Sequence, residues 1–176
     1  MLVVAATERE LAHIRDVDTF VCGVGPVEAA LQTARRLTRA AVDAVLHVGI
    51  AGARGLEPLT VVLGSEAVYC DVIDAGGRME RVERESPDPA LLAHVRSVLP
   101  DARVLPIATC GKVGGGSACD VEAMEGFGVL RACALAGIPA VELRVVSNHP
   151  DEADRSRWRF DDAFAALGDA VARVLA

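Results

Sequence analysis

Lysine is nearly missing from these 176 residues: seventeen of the eighteen basic side chains are arginine, and Lys112 is the exception. That bias reflects a GC-rich coding sequence more than a functional demand. Aromatic residues make up only 3% of the chain. The apolar half is mostly alanine and valine, which suits helices packed on a valine-rich parallel sheet. Positive charge is also short. A formal net charge of −7 argues against nucleic acid or an anionic membrane surface as the main partner. No apolar run is long enough to span a bilayer, and Met1 leads directly into a strand instead of a signal peptide, so a cytoplasmic protein without a membrane contact is expected. Cysteine has no CxxC spacing. Cys22, Cys70, Cys110, Cys119 and Cys133 are odd in number and read as small buried hydrophobes in a reducing compartment. Cys110 and Cys119 flank a glycine loop and could meet, but free thiols are the expectation. There is no internal repeat, linker or low-complexity segment, and the length suits one domain with a substantial core.

A dinucleotide fingerprint is lacking too. Gly23-Val24-Gly25-Pro26 joins a strand at Thr19–Cys22 to a helix at Val27–Ala40, but the third glycine position is Glu28. Asp43 precedes the next strand instead of ending it, which speaks against NAD. Glycines between a strand and a helix start still suit close approach by an anion or a ribose. No cofactor and no metal site is expected.

What is present reads as alternating strands and helices. Leu2–Ala6 is a first buried strand. Thr7 and Glu10 then spell a capping box for a helix beginning there, so Glu10 either closes that box or presents its carboxylate over the strand end. Val42–Val48 is a third strand leading into a second glycine-rich loop, Gly49–Gly55. His47 within that strand reads as a satisfied core group. Thr60–Asp71 forms one or two strands with a bend at Gly64-Ser65, and Asp74–Glu85 is a polar surface loop. Pro87–Leu99 is an amphipathic outer helix, Arg103–Ala108 another strand, and Thr109–Ser117 a flexible glycine loop. The segment His149–Trp158 is a charged loop anchored by the single tryptophan. Asp161–Leu175, with Phe164, Leu167, Val171 and Val174 at helical spacing, is a packing helix.

The stretch Asp120–Asn148 organises the rest. It reads as a buried helix, a Gly-Ile-Pro turn and a strand, Ala140–Ser147, that is apolar apart from Glu142 and Arg144. Met124-Glu125-Gly126 puts a carboxylate near the helix start, beside a residue that permits close approach. Polar groups at the carboxyl end of a central strand are where open α/β sheets bind ligands. The plain alternative is that Glu125 and Arg144 only pair with each other, as core ion pairs do.

Five pieces in this order resemble the nucleoside phosphorylase/nucleosidase superfamily. They are Ala6–Glu10, the run Cys22–Ala30, Val48-Gly49-Ile50-Ala51-Gly52, Met124-Glu125-Gly126 and Arg144-Val145-Val146-Ser147-Asn148. The spellings GVGPVEAA and VGIAGA, with a Ser-Asn strand end followed by Trp158, look most like the futalosine hydrolases of that superfamily. Adenosine-type nucleosidases usually end that strand in Ser-Asp and place Ser where Ile50 stands. The resemblance implies an α/β fold, a central twisted mixed sheet partly closed into a barrel and flanked by helices. It also implies a homo-oligomer whose neighbour lends a residue to the pocket, and a small-molecule purine nucleoside as substrate.

Carried over residue by residue, the resemblance makes Glu10 the general acid/base and puts the ribose on Met124 and Glu125. Asn148 falls at the leaving base, Arg144 at the nucleophile, and Gly25, Ile50, Ala51 and Gly52 around the substrate. An amide at Asn148 can donate to the N7/O6 edge of a 6-oxopurine, which favours hypoxanthine as leaving group. A phosphorylase, a methylthioadenosine/adenosylhomocysteine-type nucleosidase and a trimmed non-catalytic nucleoside-binding paralogue are the alternatives. The chain is short for the family. Few residues separate Glu10 from the Gly23 loop, and a helix that usually shapes the base pocket is missing between Thr109 and Asp120.

Overall fold

The structure is a computed structural model describing residues 1–72, 77, 80, 82–114 and 116–176. Half of the expected loop Asp74–Glu85 lies outside the described residues. Among the described residues eight strands form one sheet: β1 (Leu2–Ala5), β2 (Asp18–Val21), β3 (Val45–Ala53), β4 (Val61–Tyr69), β5 (Arg84–Glu85), β6 (Arg103–Thr109), β7 (Val121–Ala123) and β8 (Ala140–Asn148). Five of them close on themselves. β3 pairs β8 in parallel, β8 pairs β4 antiparallel, β4 and β6 are parallel, and so are β6 and β7; β7 returns antiparallel to β3. β1 and β2 extend this ring from β3, and β5 extends it from β4. A mixed, partly closed barrel is therefore the centre of the molecule, as expected.

Among the described residues four α-helices cover it: α1 (Pro26–Leu37), α2 (Pro89–Val98), α3 (Gly126–Ala136) and α4 (Phe160–Leu175). α1 starts cleanly because Gly25 takes φ 92°, open to glycine, and Pro26 occupies the first turn, where no N–H is needed. At α2, the Asp88 side chain accepts from Leu91 N at 2.8 Å. Gly137, at φ 69°, ends α3, and Ile138 N bonds Cys133 O at 2.9 Å. One apolar cluster joins α2 and α4 to Val3, Leu46, Val48, Leu143 and Val145. A second holds α1 and α3 against Leu2, Val4, Val45 and Ala140, the alternate residues of the same strands. A third draws on all five strands of the ring, including Ala51, Val62, Ile107, Val121 and Val146.

Three sequence expectations are corrected. No helix follows β1: residues 8–13 form successive turns, such as Leu11 N to Glu8 O at 3.2 Å. The backbone bonds here join residues three apart, as in turns, although the Thr7–Glu10 contact itself forms, with Thr7 N 3.0 Å from Glu10 Oε2. The glycine loop after the third strand is instead mostly strand, since β3 runs on to Ala53 alongside β8. The stretch after Asp120 contributes the short strand β7 before α3 begins. Elsewhere the expected Thr60–Asp71 stretch holds one strand, Val61–Tyr69, with a register shift between Gly64 and Glu66 at the expected bend.

Candidate active site

The carboxyl ends of β1, β3 and β8 and the start of α3 surround a cavity of ≈ 260 Å³. Glu10 enters from the turns after β1. It is 6% exposed and accepts three bonds: from Thr7 N and Thr7 Oγ1, both 3.0 Å to Oε2, and from Ile50 N, 3.2 Å to Oε1. Glu125 occupies the position just before α3; its Oε1 accepts from Gly25 N at 3.2 Å and its Oε2 from Arg144 at 3.3 Å. Met124 lies beside it, and Ile50, Ala51 and Gly52 bring β3 to the same wall. Asn148 ends β8. Its Oδ1 accepts from Ser147 Oγ at 2.8 Å and its Nδ2 donates to His149 O at 2.9 Å, which leaves one amide hydrogen uncommitted.

Eight of the residues singled out from the sequence thus meet around one cavity or directly behind its wall: Glu10, Ile50, Ala51, Gly52, Met124, Glu125, Asn148 and, through its N–H on Glu125, Gly25. Arg144 stands apart. It is 1% exposed and lies behind the wall, where its guanidinium reaches Glu142, His47, Glu125 and the Ile50 carbonyl. It holds a wall carboxylate in place and does not line the cavity. The register explains how it fits: Arg144 on β8 lies opposite Gly49 on β3, where a β-carbon would fall on the guanidinium and on Glu10.

Burial dominates the electrostatics. Loss of water pushes the Glu10 carboxyl above its ordinary value, opposed by Arg144 and reinforced by Glu125. Arg144 is also disfavoured by burial, but Glu142, Glu125 and Glu10 overcome that and raise its pKa. His47 is pushed well below its usual value, first by burial and then by Arg144. Its Nδ1 donates to Val4 O at 3.1 Å, which makes it the satisfied core group expected of it. All five cysteines are free, and burial pushes Cys22 up to about 12. No group of His, Cys, Asp or Glu among the described residues is arranged to hold a metal.

Several cavity residues escaped the sequence reading. Trp158, Phe160 and Phe164 form an aromatic wall, and Arg9 lies 5.6 Å from the Phe160 ring centre and 5.2 Å from that of Phe164. Phe164 was legible only as helix packing, because the period that marks a core face also marks a pocket face. Glu122 lines the opposite strand end and binds Arg54 at 2.8 Å and Ser117 Oγ at 3.1 Å. Its alternation with Val121 and Ala123 was the available signal. Lys112, the one lysine, reaches the mouth with Val113 and Gly114. Among the described residues from 110 to 120 there is no helix, matching the trimmed segment noted above.

A partly closed mixed barrel with two buried carboxylates at its strand ends defines a class, and independent comparisons agree. The sequence pattern of the phosphorylase superfamily matches residues 10–118, and the chain belongs to that superfamily. Within it the chain is similar to the futalosine hydrolases. It is 35% identical to that of Streptomyces coelicolor, over 89% of this chain and 77% of the relative. It is 29% identical to that of Thermus thermophilus, over 88% and 79%. In three dimensions it matches a futalosine hydrolase mutant of Helicobacter pylori, with a TM-score of 0.87 at 17% identity, over 99% and 97% of the two chains. A 5′-methylthioadenosine/S-adenosylhomocysteine nucleosidase from Colwellia psychrerythraea, solved with adenine, gives 0.83 at 20% identity, over 99% and 91%.

Proposed function

We propose that this chain is a nucleosidase that hydrolyses the N-ribosidic bond of a purine nucleoside. Futalosine is the favoured substrate, cleaved to hypoxanthine and dehypoxanthine futalosine in menaquinone synthesis. The observation that carries the reading is that Glu10 and Glu125, far apart in sequence, line one cavity with Asn148. Glu10 is the general base for water: its carboxyl is held above the ordinary range by burial, which brings it towards the pH at which it must accept a proton. Glu125 keeps lone pairs free beyond its bonds to Gly25 and Arg144, enough to accept from two ribose hydroxyls at about 1.5–3 kcal/mol each. The uncommitted amide hydrogen of Asn148 is directed to the leaving 6-oxopurine. Arg144 supports the carboxylates from behind and does not meet the water itself.

Water is favoured over phosphate because a buried dianion needs several free donors. The two backbone N–H groups best placed to supply them, Gly25 and Ile50, are engaged by Glu125 and Glu10. Ile50 also offers a branched apolar side chain where a hydroxyl would serve. The aromatic wall of Trp158, Phe160 and Phe164 offers an apolar surface to a substituent on the nucleoside. A homo-oligomer is proposed on the exposed Val24, Val27 and Leu31 at the start of α1, beside the cavity mouth. The five free thiols accord with a reducing cytoplasm.

The deciding experiment incubates the protein with futalosine, inosine and methylthioadenosine, with and without millimolar phosphate, and quantifies the free base and the sugar product. Hypoxanthine from futalosine at a phosphate-independent rate is the expected result. Ribosyl phosphate would make the chain a phosphorylase, and adenine from methylthioadenosine alone an adenosine-type nucleosidase. Tight binding with no free base would make it the non-catalytic paralogue.

A further inference from the structure

Behind the cavity wall, β3 and β8 set His47 opposite Glu142 and Gly49 opposite Arg144. The four positions make a polar tile on the sheet face that otherwise packs apolar residues against α1 and α3. Arg144 is the only buried arginine among the described residues. Every edge of its guanidinium is occupied. Nε donates to Glu142 Oε1 at 2.8 Å, Nη2 meets His47 Nε2 at 2.6 Å and Glu125 Oε2 at 3.3 Å, and Nη1 reaches Ile50 O at 3.4 Å.

Glu142 has no part in the cavity. It is fully buried, and its Oε2 has no hydrogen-bond partner. Both carboxyl oxygens lie under the first turn of α3, where a β-carbon on Gly126 would overlap them. The positive end of the helix favours a charged carboxylate there. Burial pushes the Glu142 carboxyl up, and Arg144 opposes it. Packing alone does not explain such a residue, because an apolar side chain would fill this point of β8 without the desolvation cost.

We propose that Glu142 is a positioning residue that divides the charge of Arg144, holding the guanidinium by its Nε edge so that Glu10 is only partly neutralised and can take up a proton. Three carboxyls surround one guanidinium. Glu142 and Glu125 touch it directly, whereas the hydrogen-bond partners of Glu10 are Thr7 and Ile50. The other groups facing this region are the neutral imidazole of His47 on β3, the un-ionised thiol of Cys22 after β2, Glu122 on β7, and Arg9 and Lys112 at the mouth. None of these is a second buried cation. Removing the charge of Glu142 releases the full field of Arg144 onto Glu10, which then ionises at lower pH and becomes a weaker base.

The inference rests on the proposed hydrolysis for its kinetic test alone. Glu142→Gln keeps the volume and an acceptor for Nε while removing the charge. Its acid limb of kcat/KM is expected about half to one pH unit below that of the wild type, a relative rate gain of about three- to tenfold at the acid end, with a reduced plateau. Glu142→Asp, which keeps the charge, is expected to return the limb towards the wild-type position. A folded Glu142→Gln protein whose limb does not move overturns the proposal and leaves Glu142 a packing residue. Infrared titration of the wild type, Glu10→Gln and Glu142→Gln gives a test independent of turnover. The wild type is expected to keep a protonated-carboxyl band to a pH above the ordinary carboxylate range; the band is absent in Glu10→Gln and is lost at lower pH in Glu142→Gln, and an unshifted band in folded Glu142→Gln overturns the proposal. A band that persists in Glu10→Gln places the proton on another carboxyl and overturns the proposal. If no nucleoside is cleaved, the functional reading falls and the infrared titration alone decides this one.

Discussion

Replacing the Glu10 carboxylate with an amide removes a proton acceptor from a site where the surrounding donors, Thr7 and Ile50, still find an oxygen. Glu10→Gln is therefore expected to cut turnover by about 10²–10⁴-fold while changing substrate binding little. Turnover within a few-fold of wild type would leave Glu10 only its contact with Thr7. The same substitution has a consequence for stability. The folded state raises the Glu10 pKa, so between the ordinary carboxyl range and that raised value the native protein keeps a proton the unfolded chain has released. This contribution to stability is full at low pH and is lost as pH rises through the folded pKa. Melting curves across about pH 5 to 8 are expected to fall less steeply with pH for Glu10→Gln than for wild type, and parallel curves would refute it. At Glu125 the test is the sugar. Wild type is expected to discriminate against 2′- and 3′-deoxy nucleosides, and Glu125→Gln to lose much of that discrimination. Equal discrimination by both proteins would remove Glu125 from the ribose.

At the scale of elements, the site depends on how closely α1 and α3 approach. Gly128 on α3 faces the start of α1, where a β-carbon would overlap Pro26 O and stand 3.1 Å from Ala30 N. An alanine there must push α1 outward, and with it Gly25, whose N–H holds Glu125. Gly128→Ala is expected to destabilise the protein by about 1–3 kcal/mol in denaturant titration and to raise KM. An unchanged KM in a folded variant would show that the Gly25 contact does not position Glu125. Elements also mark where sequence patterns misled. Thr7 and Glu10 do make a capping contact, but the bonds that follow it are those of turns between residues three apart. Gly49–Gly55 looks like a loop because glycine recurs in it, yet it is strand as far as Ala53; position 49 is glycine because Arg144 crosses it.

For the whole molecule, Val24, Val27 and Leu31 are each more than half exposed at three- and four-residue spacing, an apolar stripe that suits burial against a second copy. Sedimentation is expected to find a species larger than a monomer, shifted towards monomer by Leu31→Glu; a wild-type monomer at high concentration would refute the stripe as an interface. Residue type and local order, with the superfamily resemblance, were enough to indicate the α/β class, the helices α1, α2, α3 and α4, and the candidates Glu10, Met124, Glu125 and Asn148. Those features depend on period, on turn chemistry and on motifs a few residues long. Closure of the barrel, the strand β7 and the second line of residues behind the site depended on pairing between distant segments. The i, i+2 spacing puts Glu142 and Arg144 on one face of β8, but nothing near them in the chain reveals that they lie beneath Gly126, with His47 across the strand pair. The aromatic wall is the same case, since Phe164 has the spacing of a core residue and only the course of the chain through Trp158 turns it towards the cavity. Short-range spacing specifies which face of an element is apolar or polar, whereas strand register and helix packing specify what that face meets.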